Sequence, residues 1–599
     1  MQLTEQQQQI ISTRGDLKVN AVAGSGKTST MIEYAASLPS DKRVLYLAFN
    51  RSVKMEAQER FKARGLKNVR VETAHSLAYQ RIVRYYGYRV RSQGYKSHEL
   101  VTLLGIRSGS EPLLEYILAN HVMRLVSMFC NSTAAEVKAL DYLSSITDEQ
   151  SRSFAAQHKA KIYHLARVFL AKMNAGDIEI THDFYLKKFQ LSAPTLPYDV
   201  ILFDEGQDAS AVMLDIFLQQ PATKVIVGDT HQQIYAWRYA VNSLQQTSFP
   251  TLHLSRSFRF GKKVAELAHH VLSWKQHINR AVDVKIEGVA KPTDQSIQSR
   301  ATIARSNLGL LLRAIDFIEK YPKRKLWFEG NVHSYTYADE GASLYDILNL
   351  YNDDYSRIRD PLIKKMKSLD DLEDYIDKTG DVQLSIMLEI VTEYGNRIPG
   401  LIRRLKEQQV APDARDEAHR IFSTVHRCKG MEYDDVYLVN DFMTETKLLE
   451  TLEGTEKDKI DRERLNEEIN LVYVAVTRAK KVLRVPAGLV PDDFDGGKTV
   501  QVYGRTQEDF DHKTARAADY RKLNDLPEPF TKEWIERKRE RHPGAYRKWT
   551  EEHDLDLTVK FCEGWRVKEL AEHFERSQGA VRRRIEKLEL EELYGIRPD

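Results

Sequence analysis

Cysteine is scarce in this chain. Cys130, Cys428 and Cys562 are the only three among 599 residues, far apart, with no CxxC spacing and no Cys/His cluster. That excludes a structural zinc and a disulfide framework and fits a reducing compartment. Long hydrophobic runs are missing too: none approaches the ~18 residues a membrane span needs. The opening MQLTEQQQQIIS lacks the basic-then-apolar order of a signal peptide. A soluble, intracellular protein without a membrane partner is expected. A charge excess of one sign is also absent, since 89 basic residues face 86 acidic ones and the net charge is +3. Nucleic-acid binding therefore cannot be argued from bulk charge, and any basic track must be local. Apart from the glutamines at 6–9 there is no low-complexity tract, and no repeat of fixed period.

What is present begins with size, enough for about three to five domains. Four runs are apolar on nearly every residue: LKVNAVA (17–23), RVLYLAF (43–49), DVILFDE (199–205) and TKVIVGD (223–229). Such runs suit strands covered on both faces of a parallel sheet, whose ligands gather at the strands' carboxyl ends. From about 76 to 190 the texture turns helical, as in HELVTLLG and AEVKALDYLSSI. A second strand set follows: ATIARS (301–306), RIFSTVH (420–426), DDVYLVND (434–441) and KVLRVP (481–486), with a charged helical stretch at about 331–415. The pattern predicts two α/β domains, each interrupted by a mostly helical insertion.

AVAGSGKT (21–28) lies between a predicted strand and a predicted helix. Glycines there let the backbone turn its N–H groups toward phosphate, and the helix N-terminus adds a favourable dipole. Gly24, Ser25, Gly26 and Ser29 belong to this nucleotide cradle. Lys27 would reach the β- and γ-phosphates and Thr28 would ligate Mg²⁺. Ala21 stands where the general phosphate-loop pattern has glycine, so a ligand-free glycine turn is the competing reading. DEGQD (204–208) closes an apolar strand. Asp204 there would hold Mg²⁺, and Glu205 would orient an attacking water.

The order of the motifs resembles superfamily 1 DNA helicases of the UvrD/Rep type. LTEQQ (3–7), GSGKT, AFNRS (48–52), ETAHSLAY (72–79), DEGQD, GDTHQQIYAWR (228–238), LSRSFRF (254–260), TVHRCKGMEYDDVYL (424–438) and NLVYVAVTRAKK (470–481) follow the family's sequence over roughly residues 1–490. The longer runs look most like the helicase part of the F-box DNA helicases. No F-box-like segment precedes the motor here, so a ubiquitin-ligase role is not expected. The resemblance implies an α/β fold of two RecA-like P-loop domains. Domain 1A would comprise 1–75 and 191–255, with a helical insertion 1B at 76–190. Domain 2A would comprise 256–330 and 416–490, with insertion 2B at 331–415. A charged linker at 491–545 and a three-helix module at 546–599 would follow.

Residue roles carry over by the same resemblance. Gln7 would read the adenine edge, although TEQQ also fits a helix capping box with Thr4, and one side chain cannot easily do both. Phe258 would stack on adenine, Glu432 would contact the nucleotide, and Gln232, Arg259 and Arg478 would reach the γ-phosphate. Asn50, His75, Arg238, Thr424 and His426 are the implied DNA contacts, with Lys429 coupling the second domain to DNA or nucleotide. His75 could equally be an ordinary capping or packed histidine. Tyr235 and Trp237, two apart in IYAW, share one face of an extended segment. They either stack on bases, at roughly 1–3 kcal/mol each, or fill core. Gly206 stands where alanine is commoner in the family, which predicts a looser turn.

Residues 546–599 resemble a helix-turn-helix or Myb-like module. Thr550 and Ser577 would cap its helices, and Trp549, Leu555, Leu557 and Phe561 would supply a core. Val581, Ile585 and Leu588 would line one face, beside Arg582, Arg583 and Arg584. A second DNA contact and a protein-docking bundle both fit. The expected function is an ATP- and Mg²⁺-dependent helicase or translocase moving 3′-to-5′ on single-stranded DNA and at junctions, in repair or recombination control. It would work in the cytoplasm or nucleoid, or in the nucleus of a eukaryote. An ATP-gated DNA-binding switch and an RNA helicase are the alternatives.

Overall fold

The apolar runs become strands. In the computed structural model β1 (Leu17–Ala21), β2 (Val44–Leu47), β3 (Val69–Glu72), β4 (Val200–Phe203), β5 (Thr223–Gly228) and β6 (Thr251–Leu254) form one all-parallel sheet. Its order is β3-β2-β4-β5-β1-β6. β2 and β4 are buried along their whole length, as strands sandwiched between helices must be. The structure describes residues 3–107, 113–236, 239–280, 282, 284–291, 296–330, 341–411, 413–454, 460–504, 551–562, 565–576, 581–582 and 584–585.

A short pair, β7 (Arg256–Ser257) with β8 (Glu287–Gly288), precedes the second sheet. That sheet holds β9 (Arg300–Ala304), β10 (Leu326–Phe328), β11 (Arg420–Thr424), β12 (Tyr433–Leu438), β13 (Ala479–Pro486) and β14 (Val500–Tyr503). All are parallel, in the order β10-β11-β9-β12-β13-β14. Both sheets belong to one unit, residues 1–341 with 399–505. The core of the second sheet runs through Trp274, Val436, Tyr473 and Leu483, all fully buried, and takes in Ala23 and Ile234 from the first.

Two readings of the sequence are corrected. β14 lies inside the stretch expected to be a charged linker, and there it completes the second sheet by pairing with β13. The segment AEVKALDYLSSI forms two 3₁₀ turns, Val137–Ala139 and Leu143–Ser145, instead of an α-helix. Tyr163 accounts for this. Its hydroxyl donates to Leu140 O at 2.7 Å and accepts from Tyr142 N at 3.2 Å, taking backbone groups a helix would pair internally. Elsewhere the segment after β3 is built of helices, among them Leu114–Asn131, Lys159–Ala175 and His182–Leu191.

The other unit comprises 342–398 and 506–599. Its first part is helical, with Leu344–Tyr351, Leu369–Thr379 and Val382–Tyr394. In its second part the helices Glu551–Cys562 and Val567–His573 bury Leu557, Phe561, Val567, Leu570 and Ala571 together with Val581 and Ile585. Arg582 is exposed. Trp549, Thr550, Ser577, Arg583, Leu588 and the Leu555 side chain lie outside the described residues. Among the described residues no helix is long and apolar enough to cross a membrane.

Gly206 has a packing reason. A Cβ there would lie 2.6 Å from both Cγ1 and Cδ1 of Ile226 on β5. The glycine therefore tightens the joint between the end of β4 and its neighbour, where a looser turn was expected. Gly206→Ala should lower stability by about 1–3 kcal/mol through overpacking, read as a fall in the thermal midpoint.

Candidate nucleotide cleft

Three loops meet because β4, β5 and β1 end side by side. After β1, residues 22–26 turn through two left-handed glycines, Gly24 at φ +74° and Gly26 at φ +81°, into the helix Lys27–Ala36. A loop of this shape points N–H groups and a helix N-terminus at one place. No side chain fits at Gly24, where a Cβ would lie 2.6 Å from Arg259 Cβ and 2.8 Å from Ser257 Oγ. Ser25 Oγ is buried with no hydrogen-bond partner, a polar atom left over for a ligand. Ser29 is half-buried in the first turn of the helix.

β4 delivers the acids. Glu205 adopts a left-handed backbone, φ +53°, a conformation that costs an L-residue about 1–2 kcal/mol. Its Oε2 lies 3.1 Å from Lys27 Nζ and accepts from Gln207 Nε2 at 2.6 Å. Asp204 accepts from the Tyr46 hydroxyl and, at 2.9 Å, from the Glu205 N–H. The Thr28 side chain also lies beside the Tyr46 hydroxyl, so the two side chains expected to hold a cation face one atom. Burial pushes the Asp204 carboxyl up and the Glu205 charge adds to it. Burial also opposes the Glu205 charge, but Lys27 and Lys429 outweigh it and hold that carboxyl low. The Lys27 ammonium loses stability through burial, yet Glu205, Asp229 and Asp204 more than offset this and raise its pKa.

The opposite wall comes from the second sheet. Arg478, at the end of the helix Arg462–Val476, is almost wholly buried. Its guanidinium donates to Val474 O at 2.9 Å, Met431 O at 3.1 Å and Gln232 Oε1 at 3.4 Å. Arg259 donates to Glu432 Oε2 at 2.9 Å and Thr477 O at 3.2 Å. Burial first and the Arg259 charge second depress Arg478 to about 10. A polyphosphate would relieve that crowding of cations, so the donor set fits such a ligand. The Phe258 ring is 42% exposed, while its N–H donates to Gly24 O at 2.9 Å, so an aromatic face stands beside the loop.

Gln7 sits in the capping box. Its Oε1 accepts from Thr4 N at 3.0 Å, and its Nε2 donates to Thr30 Oγ1 at 3.2 Å. The side chain is beside the loop, since a Cβ on Gly26 would lie 3.2 Å from Nε2, but its amide is engaged within the protein.

Sequence reasoning passed over several residues. Asp229, after β5, accepts from Gln232 Nε2 at 2.7 Å, His231 N at 3.0 Å and the Tyr473 hydroxyl at 3.0 Å. Tyr473 and Asp229 lie inside quoted motifs, and that position was the available signal. Tyr46 carried none, reading only as a strand residue. Lys429 does more than its sequence suggested. Its Nζ donates to Asp208 Oδ1 at 2.6 Å and Gln232 O at 2.5 Å, and sits 4.9 Å from the centre of the Tyr235 ring. One cation from the second sheet thus joins the loops after β4 and β5 to an aromatic residue.

The expected DNA contacts divide. Tyr235 is half-buried, donates its hydroxyl to His426 O at 2.8 Å, and stacks on Phe49 with centroids 6.1 Å apart at 16°. Trp237 and Arg238 lie outside the described residues. His75 meets Tyr185 edge-on at 6.0 Å, and burial lowers its pKa. Burial, aided by Arg305, pushes His426 down to about 4. Both rings are therefore neutral near pH 7 and can hydrogen-bond a phosphate but not ion-pair with it. Asn50 is exposed and caps the helix Arg51–Ala63 by accepting from Val53 N at 2.9 Å. Thr424 is buried at the end of β11.

Two parallel-sheet lobes meeting at one phosphate loop define a protein of the P-loop class. Residues 3–248 match the UvrD/REP helicase N-terminal domain and residues 349–487 the UvrD-like helicase C-terminal domain, together more than half of the chain. The chain belongs to the UvrD/Rep helicase family. It is 28% identical to F-box DNA helicase 1 of Gallus gallus, over 82% of this chain and 49% of that protein. It is 30% identical to F-box DNA helicase protein 1 of Schizosaccharomyces pombe, over 80% of this chain and 57% of that one. The chain thus spans about half the length of the curated relatives it matches. A solved structure titled for DNA unwinding at forked duplex DNA by two coordinating Pif1 helicases overlaps 87% of this chain and 98% of its own. Its TM-score is 0.30 and its identity 11%.

Lys429→Ala would strand Asp208, whose carboxyl burial already pushes up to about 6. The expected loss is about 3–5 kcal/mol in calorimetric unfolding, and Lys429→Met with Asp208→Asn should recover most of it by leaving no uncompensated charge.

Proposed function

We propose that the protein is an ATP-dependent DNA helicase or translocase that moves 3′-to-5′ on single-stranded DNA, acting at single-strand/duplex junctions in repair or recombination control. The observation that carries this is the meeting of Lys27, Asp204, Glu205 and Gln232 from one sheet with Arg259 and Arg478 across the cleft, tied by Lys429 to Tyr235. Lys27 and the loop N–H groups would bind the triphosphate of ATP. Glu205 would orient the attacking water, and Arg259 and Arg478 would stabilise charge on the transferred phosphoryl. Thr28 and Asp204 would hold Mg²⁺, which supplies charge neutralisation between the phosphates. Phe258 stands ready for adenine, with Glu432 beside it through Arg259.

Closing the cleft on nucleotide and reopening it after hydrolysis is a hinge movement. Lys429 would report it to the strand side, because the bonds it makes to Asp208 and to Gln232 O depend on how the lobes meet. Family membership supports DNA as the track and the 3′-to-5′ sense. Residues 546–599 would add a second contact to DNA or protein. The site of action is wherever the cell keeps its DNA, the nucleus in a eukaryote.

ATPase stimulation by single-stranded DNA, duplex DNA and RNA, followed by displacement from 3′- and 5′-tailed duplexes, tests the reading. Strongest stimulation by single-stranded DNA and unwinding from the 3′ tail are expected. Hydrolysis without displacement would establish a switch instead, and stronger stimulation by RNA an RNA motor. Glu205→Gln should keep nucleotide binding and lower kcat by at least about a hundredfold.

A further inference from the structure

A basic and aromatic surface lies away from the cleft. Between Glu72 and Glu99 the chain has no acidic residue, yet it carries five lysines and arginines and five tyrosines. The helix in this segment starts at Thr73, runs as α over Ala74–Ala78, widens to a π-helix over Tyr79–Val83, and resumes as α over Arg84–Tyr86. A π turn takes an extra residue and rotates everything beyond it, and such turns recur at functional sites. Here Ile82 and Val83 go inward, while Arg81, Arg84, Tyr85 and Tyr86 face solvent. Tyr85 is 80% and Tyr86 52% exposed.

The exposed rings are held in place. Gly87, at φ +68°, folds the chain back so that Tyr88 stacks on Tyr86, with centroids 5.4 Å apart at 21°. The Tyr88 hydroxyl donates to Asn174 O at 2.8 Å. Lys188 Nζ donates to the same hydroxyl at 3.0 Å and stands 4.2 Å from the centre of the Tyr86 ring. Tyr85 meets Tyr86 edge-on at 5.0 Å. Arg81, Arg84 and Arg89 are exposed and make no ion pair among the described residues. Preorganised rings cost little entropy to use, and unpaired guanidiniums match phosphate.

We propose that Tyr85 and Tyr86, with Arg81, Arg84 and Arg89, form a second single-stranded DNA contact. Bases stack on the two rings and phosphates pair with the three guanidiniums. A single strand is the occupant because its bases present free π-faces, which duplex DNA hides along its length, and because the charged side chains flanking the rings, Arg81, Arg84 and Arg89 in sequence and Lys188 against Tyr86, are all cations. The contact rests on the helicase reading. It extends the strand's footprint along a helix that carries His75 in its first turn and rises about 16 Å from there to Tyr86.

The test uses the full chain and fluorescence anisotropy on oligonucleotides of about 10 and about 30 nucleotides, one shorter and one longer than the ~16-nucleotide upper end of single-strand site sizes. Tyr85→Ala with Tyr86→Ala should weaken binding of the longer strand at least about thirtyfold. The shorter strand and the ATPase rate at saturating DNA should not change. Tyr85→Phe with Tyr86→Phe should bind like wild type. Removing Arg81, Arg84 and Arg89 together should flatten the salt dependence of the longer strand by about 2 logarithmic units per decade of salt. Wild-type affinity and salt slope in all variants would overturn the proposal. So would equal weakening of both strands, loss in the phenylalanine variant, or loss confined to blunt duplex. If single-stranded DNA fails to stimulate the wild-type ATPase, the helicase reading falls. If it does and the variants match wild type, only this contact falls.

Discussion

A buried ammonium needs nearby negative charge, and in this protein that requirement organises the cleft. Lys27 is enclosed among Glu205, Asp204 and Asp229, and its charge survives burial only because those carboxylates surround it. Each carboxylate in turn needs a donor. Glu205 has Lys27 and Gln207, Asp204 has Tyr46, and Asp229 has Gln232 and Tyr473. The strand order β4-β5-β1 makes the arrangement possible by ending three loops at one place. The left-handed backbone at Glu205 is held against its cost by the ion pair it completes.

The second lobe answers with cations. Arg259 lies close enough to Arg478 to disfavour its charge, an arrangement awaiting an anion. Lys429 instead carries its own counter-ion, Asp208, and borrows the Gln232 carbonyl. The same side chain touches the phosphate-side loops and the Tyr235 ring, so a shift between the lobes reaches the aromatic residue through one ammonium. Tyr473 repeats the link on the other side, reaching Asp229 and, at 3.5 Å, the N–H of Ala23 in the phosphate loop. The two lobes are thus coupled by groups that are individually short of partners when pulled apart.

Some of this was legible in the residues. All eight strands read from the sequence appear in the two sheets. Within those two sheets the strands that escaped notice, β3, β6, β10 and β14, are the four edges. An edge strand lacks a neighbour on one side and is not required to be apolar on both faces, so sequences such as VRVE, TLHL and VQVY carry no continuous hydrophobic run. The cleft residues were readable for a similar reason. A phosphate loop and the acids after a buried strand are local in sequence, each within a few residues of its strand end.

The chain's order of residues alone determined the phosphate loop, the paired acids and the central strands, because their physics is contained in short windows: glycine's freedom at positive φ and the burial of continuous apolar runs. Tertiary structure decided which groups neutralise one another. Lys429 stands 221 positions from Asp208, and Arg478 stands 246 from Gln232. It also decided that Gln7 is spent in a capping box beside the loop, that Tyr235 stacks on Phe49, and that a π turn throws Tyr85 and Tyr86 outward. Partners that distant are chosen by strand order and by burial, which lower the local dielectric and make every unpaired charge costly. No window of sequence contains that information.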